Sequence, residues 1–387
     1  MKVLLALHRI GPYHHARLQA AAQQLEVLVL ETRPQSEEYP WSFNVQGSYE
    51  VHQIQGQPHP DADPPTGALD LQLEELLARL QPQVVVSVGW ADRTYQRLLL
   101  AAHRQRIPSV IVSDSRACDE HRSRFKETIK RQVLKGYSSA LVAGCESRVY
   151  LQKLGFLPGA IAQPWDVVDN DVFSKSAIHQ SHEASCIRPH FLCVSRFIAK
   201  KNHVGLLSAY GAYQIQGGLW DLRLIGAGPL QTTIEDAISQ LPDPTRVRLD
   251  TFMQLEALSA CYGQASAFVL ASTTDQWGLV VNEAMAAGLP CLVSSACGCA
   301  IDLMEHGRTG WVFHPGNPKA LAELFHLVET QRPRDRAAMV VAARSKLEAF
   351  SPQAFATGLG QALEWALAKP RFSRRASFAA RLLSLFP

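Results

Sequence analysis

The chain lacks any apolar run approaching the roughly 20 residues that a helical bilayer crossing needs. Its opening, MKVLLAL, is too short for a signal-peptide core and no cleavage-site pattern follows, so it reads as a first strand. Charge of neither sign dominates. The 38 Lys and Arg against 35 Asp and Glu leave a formal +3, too little to argue for a nucleic-acid partner. The eight cysteines are scattered, some inside apolar runs (Cys193, Cys291), which suits reduced thiols in a cytoplasmic protein rather than a disulfide framework. Cys297-Gly298-Cys299 has metal-binding residue types, but no second cysteine pair stands at ligand spacing, so no zinc site is expected. What remains is 387 residues, 47% of them hydrophobic, enough for two α/β domains with sizeable cores.

Apolar strand-like runs alternate with helical periodicity along both halves. Strands are expected at Lys2–Leu7, Glu26–Leu30, Val84–Val88, Val110–Ser113 and Ala140–Ala143, with helices between them. A polar and aromatic segment, 33–65, interrupts the series. The helix over 67–80 places Leu69, Leu73, Leu76, Leu77 and Leu80 at amphipathic spacing. The histidine-rich stretch 167–190 has no clear period and reads as a linker. Beyond it a second series runs through Phe191–Ser195, Leu222–Ile225, Ala267–Leu270 and Cys291–Val293. Such order implies two doubly wound parallel sheets whose ligands sit beyond the strand carboxyl ends. The expected division is an N-terminal domain over 1–180, completed by a C-terminal helix over 351–387, and a second domain over 188–350.

The stretch Ala271 to Val293, ASTTDQWGLVVNEAMAAGLPCLV, carries the most chemistry. It reads as strand end, polar loop with Asp275, Gly278, a short helix from Leu279, a stop at Gly288 and Pro290, then another strand. Backbone N–H groups at such a helix start attract phosphate. A carboxylate one turn in, Glu283, can accept hydrogen bonds from a pair of sugar hydroxyls. On spacing alone, an Asp and a Glu on such a turn are usually solvated. The full wording decides it, because it resembles the donor-site signature of retaining glycosyltransferases of family 4 (group 1), of the GT-B fold. Gly278, Leu279, Glu283, Ala284, Met285, Ala286, Gly288 and Pro290 fit that signature. Asp275 stands where the family usually has Glu.

The resemblance extends to Ser195-Arg196-Phe197 with Lys200-Lys201-Asn202, where Arg196 and Lys201 keep the spacing of the family's Arg and Lys. It extends also to Gly226-Ala227-Gly228-Pro229, which lacks the third glycine of a dinucleotide fingerprint. It implies a retaining transfer of a hexose from a nucleoside diphosphate-sugar to an acceptor hydroxyl, in a cleft between the domains and with no cofactor or metal. Glu283 would grip the ribose, Asp275 the sugar hydroxyls, and Arg196 with Lys201 the diphosphate. Gly278, Leu279, Val280, Gly226 and Met253 would line the donor site, and Gly11, in the first turn of domain one, would approach the phosphates. Domain one has Asp114 where many members have a catalytic-site histidine. Asp61-Ala62-Asp63 and Asp169-Asn170-Asp171 mimic an acidic metal motif but are not expected to bind metal. A nucleotide-sugar epimerase of the same fold and a non-catalytic nucleotide-sugar binder are the alternatives.

A basic helix from His121 to Lys135, with Arg122, Arg124 and Lys126, and a basic tail from Arg371 allow two readings. Both are solvated amphipathic helices, or both meet an acidic acceptor or the anionic inner face of a membrane. The acceptor is then a glycan, a lipid-linked sugar or a small molecule.

Overall fold

The computed structural model describes residues 1–34, 41–43, 46–59, 62–120, 122–180 and 188–384. The chain divides into two compact units, one made of 1–167 with 352–387 and the other of 168–351.

In the first unit the order is β1 (Lys2–Leu7), α1 (Pro12–Ala22), β2 (Glu26–Glu31), β3 (Glu50–Gln53), α2 (Thr66–Leu80), β4 (Val84–Val88) and α3 (Arg93–Arg104). It continues with β5 (Ser109–Ser113), α4 (Arg124–Leu134), β6 (Ser139–Val142), α5 (Cys145–Lys153) and β7 (Ile161–Ala162). All these strands pair in parallel, in the order β3-β2-β1-β4-β5-β6-β7. The central strands are apolar on both faces because helices cover both, and β1, β4 and β5 are buried almost throughout. The strand β3 differs: its sequence EVHQ is polar and half-exposed, as suits the edge of a sheet. That polarity hides it within the segment read above as an interruption.

The second unit begins with α6 (Asn170–Gln180), followed by β8 (His190–Val194), α7 (His203–Ile215), β9 (Asp221–Ile225), α8 (Gln231–Ser239), β10 (Val247–Asp250) and α9 (Leu255–Gln264). Then come β11 (Ala267–Leu270), α10 (Leu279–Ala286), β12 (Cys291–Ser294), α11 (Cys299–Leu303), β13 (Trp311–Phe313), α12 (Pro318–Glu329) and α13 (Pro333–Leu347). The parallel order is β10-β9-β8-β11-β12-β13. An aromatic cluster under this sheet, Phe191, Tyr210, Tyr213 and Phe325, is buried and in mutual ring contact. The stretch read as a linker starts the unit instead. Helix α6 packs on α9 and α10, with Phe173 buried edge-on against Tyr262.

Two helices at the end of the chain, α14 (Pro352–Ala368) and α15 (Arg374–Leu383), belong to the first unit. Helix α14 packs on α1 and β6, and the Ser139 hydroxyl donates to the Ala362 carbonyl at 2.6 Å. Phe355 meets Trp165, whose ring lies under the buried Arg17 guanidinium at 4.5 Å. Arg17 in turn donates to the Val167 carbonyl, at 3.1 and 3.0 Å, and lies 3.5 Å from Asp166. The approach of α14 is close enough that a Cβ on Gly358 would lie 2.5 Å from the Gln163 carbonyl oxygen. We therefore expect Gly358→Ala to destabilise the first unit by roughly 1–3 kcal/mol, the usual cost of overpacking. Urea unfolding checks this, and an unchanged midpoint counts against the packing.

Candidate functional site

Both sheets reverse direction beside their first strand, and that reversal marks where a ligand fits. In the second unit the reversal lies between β8 and β11. The chain leaving β8 carries Arg196 and Lys201; the chain leaving β11 carries Asp275, Gly278 and, on α10, Glu283. Residues 74 positions apart thereby meet, and the Lys201 ammonium forms an ion pair with Asp275 Oδ2. Both side chains are nearly buried, at 13% and 10% exposure, so the pair is not a solvated surface bridge. The Ser272 hydroxyl adds a 3.4 Å contact to the same carboxylate oxygen.

Backbone contacts hold the two loops together. The Thr273 N–H donates to the Lys200 carbonyl at 2.8 Å, and the Asn202 amide donates to the Ala271 carbonyl at 3.0 Å. Asp275 is pinned on both sides of its Cα. Its N–H donates to Ala296, at 3.2 Å, and its carbonyl accepts from Gly298, at 2.9 Å. The chain then turns through Gly278 at φ +105°, a conformation that any Cβ would strain. That turn starts α10 against the strand end, where a Cβ on Gly278 would also crowd Leu270 at 3.1 Å. The Trp277 indole N–H donates to Asn282 Oδ1 at 2.9 Å and is buried with it.

Most of the residues singled out from the sequence collect at this edge. Glu283 is 1% exposed on α10, while Leu279 and Val280 are half-buried in its first turn. Arg196 is exposed on the β8 loop. Gly226 follows β9 and lies so close to that loop that a Cβ would stand 2.0 Å from the Ser195 carbonyl oxygen. Half-buried Met253 follows β10, within 3.6 Å of the Cys261 thiol. Gly226 also lines a cavity of about 570 Å³ with Phe197, Gln231, Leu249, Asp250 and Thr251.

The first unit holds the other two. Gly11 caps α1 in extended conformation, and Asp114 follows β5, its carbonyl accepting from the Ser147 hydroxyl at 2.9 Å. At that unit's own reversal, between β1 and β4, stands a group the sequence reading missed. His8 Nε2 lies 3.2 Å from Asp92 Oδ2, and the Arg33 guanidinium donates to the same oxygen at 2.8 Å. Burial pushes the Asp92 carboxyl up, but the His8 hydrogen bond and charge, with Arg33, outweigh it and leave its pKa lowered. Asp63 is taken up by Thr94, at 2.9 Å, and lies 3.7 Å from Arg33; its partner in the sequence motif, Asp61, lies outside the described residues. Among the described residues no group of three or more His, Cys, Asp or Glu side chains is placed to hold a metal ion. Their cysteines are free thiols, and none of their helices is long and apolar enough to cross a membrane.

His203, at the start of α7, was also missed. Its Nε2 lies 2.9 Å from the Ser195 hydroxyl, and burial, then the Lys201 charge, lowers its pKa to about 4. A histidine held neutral in the fold but free to protonate when unfolded stabilises the native state fully above about pH 6.5. That contribution is lost as pH falls from there towards 4, and it amounts to about 3 kcal/mol. We expect His203→Gln to flatten the acid limb of stability against pH, as followed by urea unfolding at several pH values. An unchanged limb would show that another group governs it.

The family model described as "Glycosyl transferases group 1" matches residues 174–346. Among curated proteins, the amylovoran biosynthesis glycosyltransferase AmsK of Erwinia amylovora is 33% identical over 163 residues, covering 41% of this chain and 40% of that protein. The putative colanic acid biosynthesis glycosyltransferase WcaL of Escherichia coli is 28% identical over 204 residues, covering 51% and 49%. The matched stretches thus span less than half of either relative. Among solved structures, Anabaena HepE in complex with UDP and glucose superposes with a TM-score of 0.74 at 16% identity, covering 94% of this chain and 99% of that one. Sucrose-phosphate synthase from Thermosynechococcus elongatus gives 0.73 at 17%, covering 95% and 99%. At such identities these likenesses speak to the fold, which is GT-B, with two Rossmann-like units.

Proposed function

From residues 174–346 as a group 1 glycosyltransferase domain, we propose that the chain is a retaining glycosyltransferase of family 4. It moves a hexose from a nucleoside diphosphate-sugar to an acceptor hydroxyl. The observation that carries this is the ion pair of Lys201 with Asp275 at the reversal of the second sheet, beside the start of α10, the helix that carries Glu283. The structural neighbour solved with UDP and glucose, and the same protein solved with UDP-glucose, favour a uridine diphosphate-hexose as the first donor to try. The relatives that act in amylovoran and colanic acid biosynthesis favour a polysaccharide or glycolipid acceptor.

In this reading the bond from the anomeric carbon to the diphosphate oxygen breaks while the acceptor oxygen bonds that carbon on the same face. The acceptor proton passes to the departing diphosphate, so no covalent nucleophile from the protein is needed. Negative charge grows on the diphosphate as the bond breaks. Arg196 and Lys201 meet that charge, stabilising the transition state more than the bound donor. Glu283 accepts from the ribose hydroxyls. Asp275 accepts from the sugar hydroxyls on the lone pairs that Lys201 leaves to it.

Nucleotide release from a panel of nucleoside diphosphate-sugars tests the reading, with the product's anomeric configuration read by NMR. Interconversion of the sugar while still on its nucleotide would instead make the chain an epimerase, and binding without turnover would make it a binder. We expect Lys201→Ala to cost about 10²-fold or more in turnover. It also leaves Asp275 buried without its cation, at about 3 kcal/mol of stability. Adding Asp275→Asn should restore that stability but not the turnover. Near-normal turnover in folded Lys201→Ala rejects the assignment. Asp275→Glu is expected to change the preference among donor sugars more than the unfolding midpoint, and equal shifts in both would count against a sugar contact.

A further inference from the structure

We propose that α4 and α15 together form a docking surface for an anionic lipid bilayer. Helix α15 lies against α3 and α4, with Ala376 and Ala380 fully buried; Ala380 shares an apolar core with Leu99, Val133 and Tyr137. His103, on α3, fixes its register through a 2.9 Å contact with the Ser377 hydroxyl. With that face buried, the opposite stripe is set by helical spacing. Arg374, Arg375, Phe378, Arg381 and Leu382 stand at i, i+1, i+4, i+7 and i+8, and all are exposed. Helix α4 repeats the arrangement with Arg124, Phe125, Thr128 and Arg131, all exposed, and with Lys126 and Lys135 exposed at its flanks.

Two features of these stripes point to a membrane. The first is charge of one sign: residues 369–384 carry one lysine and four arginines and no acid. On α4 the acid Glu127 accepts from the Tyr150 hydroxyl at 2.6 Å. The second is the placement of large apolar side chains among those cations. Phe125 is 74% exposed, Phe378 70% and Leu382 48%, which a helix facing only water has no reason to present together. Cations alone suit any polyanion. Cations interleaved with exposed Phe and Leu suit a surface that is charged at its headgroups and apolar just beneath. The structure also changes the membership of this surface. Arg122, counted with Arg124 and Lys126 from the sequence, precedes α4 and is turned inward. Its guanidinium lies over the Tyr150 ring at 4.8 Å and donates to Glu120 and to the Arg116 carbonyl. Arg122 therefore drops out of the surface, which keeps Arg124, Lys126 and Arg131 on α4 beside the stripe of α15.

This inference stands apart from the transferase reading, because lipid binding is measured without catalysis. The full chain is sedimented with vesicles of phosphatidylcholine alone or mixed with phosphatidylglycerol, at low and high salt. We expect binding to the mixed vesicles at low salt, release at high salt, and none to phosphatidylcholine alone. Replacing Arg374, Arg375 and Arg381 by Gln should weaken binding on the order of a hundredfold, since each cation near the surface contributes roughly fivefold. Phe378→Ser with Leu382→Ser should weaken it roughly tenfold, and Arg122→Gln should leave it unchanged. Far-ultraviolet dichroism confirms that each variant is folded. The proposal fails if the mixed vesicles are ignored, or if binding survives either the arginine or the apolar replacement. Binding to duplex DNA with vesicles ignored, or a loss that follows charge alone, would assign the surface to a nucleic acid or another polyanion instead.

Discussion

A parallel sheet whose strand order reverses leaves two adjacent strand ends that no crossover helix covers. Right-handed crossovers send successive helices to opposite faces on either side of the first strand, so the gap follows from chain connectivity. The second unit depends on this constraint. Its order, β10-β9-β8-β11-β12-β13, opens the gap between β8 and β11, and the loops that leave those strands carry the charged residues of the candidate site. The strands beneath these loops are buried on both faces.

Holding a lysine and an aspartate there, nearly buried, is costly unless their geometry is fixed and their remaining hydrogen-bonding capacity is met. The protein meets that cost with backbone. Thr273 and Asn202 tie the two loops together, and Asp275 is clamped between Ala296 and Gly298. The cation is thus positioned before any ligand arrives, so little of a ligand's binding energy need be spent on organising it. The neutral His203 beside Ser195 fits the same economy, since a second charge so close to Lys201 would oppose the first.

Much of this was legible in the sequence, for reasons that differ by element. The central strands were readable because burial on both faces makes them continuous apolar runs: Lys2–Leu7, Val84–Val88 and Ala267–Leu270 have the bounds expected of them. Edge strands lack that signature. Polar β3 was passed over, and the two residues of β7 are too few to carry a period. Helix α6 was read as linker because a histidine- and serine-containing run shows little amphipathic pattern, although Phe173 anchors it beside Tyr262. In the site, the likeness of the wording to a family signature, rather than spacing alone, pointed to Lys201, Asp275 and Glu283. That the first two would bond to each other lay beyond reach, since spacing within a loop carries no information about a partner 74 residues away. His8 with Asp92, 84 residues apart, was invisible for the same reason.

The pairing bears on why a shorter acid suits position 275. Its backbone is held at both N–H and carbonyl, so the reach of its carboxylate is set by side-chain length alone. From that fixed Cα the aspartate already meets Lys201 and Ser272 while only 8% exposed. One more methylene would carry the carboxylate about 1.5 Å outward. Lys201, whose own loop is tied to Ala271 and Thr273, would then have to give up the ion pair or follow it toward solvent. With aspartate the ammonium stays deep at the strand ends, close to the start of α10. In the proposed transfer, cation and helix start would then act on the same phosphate from two sides, favouring the charge that accumulates there as the glycosidic bond breaks.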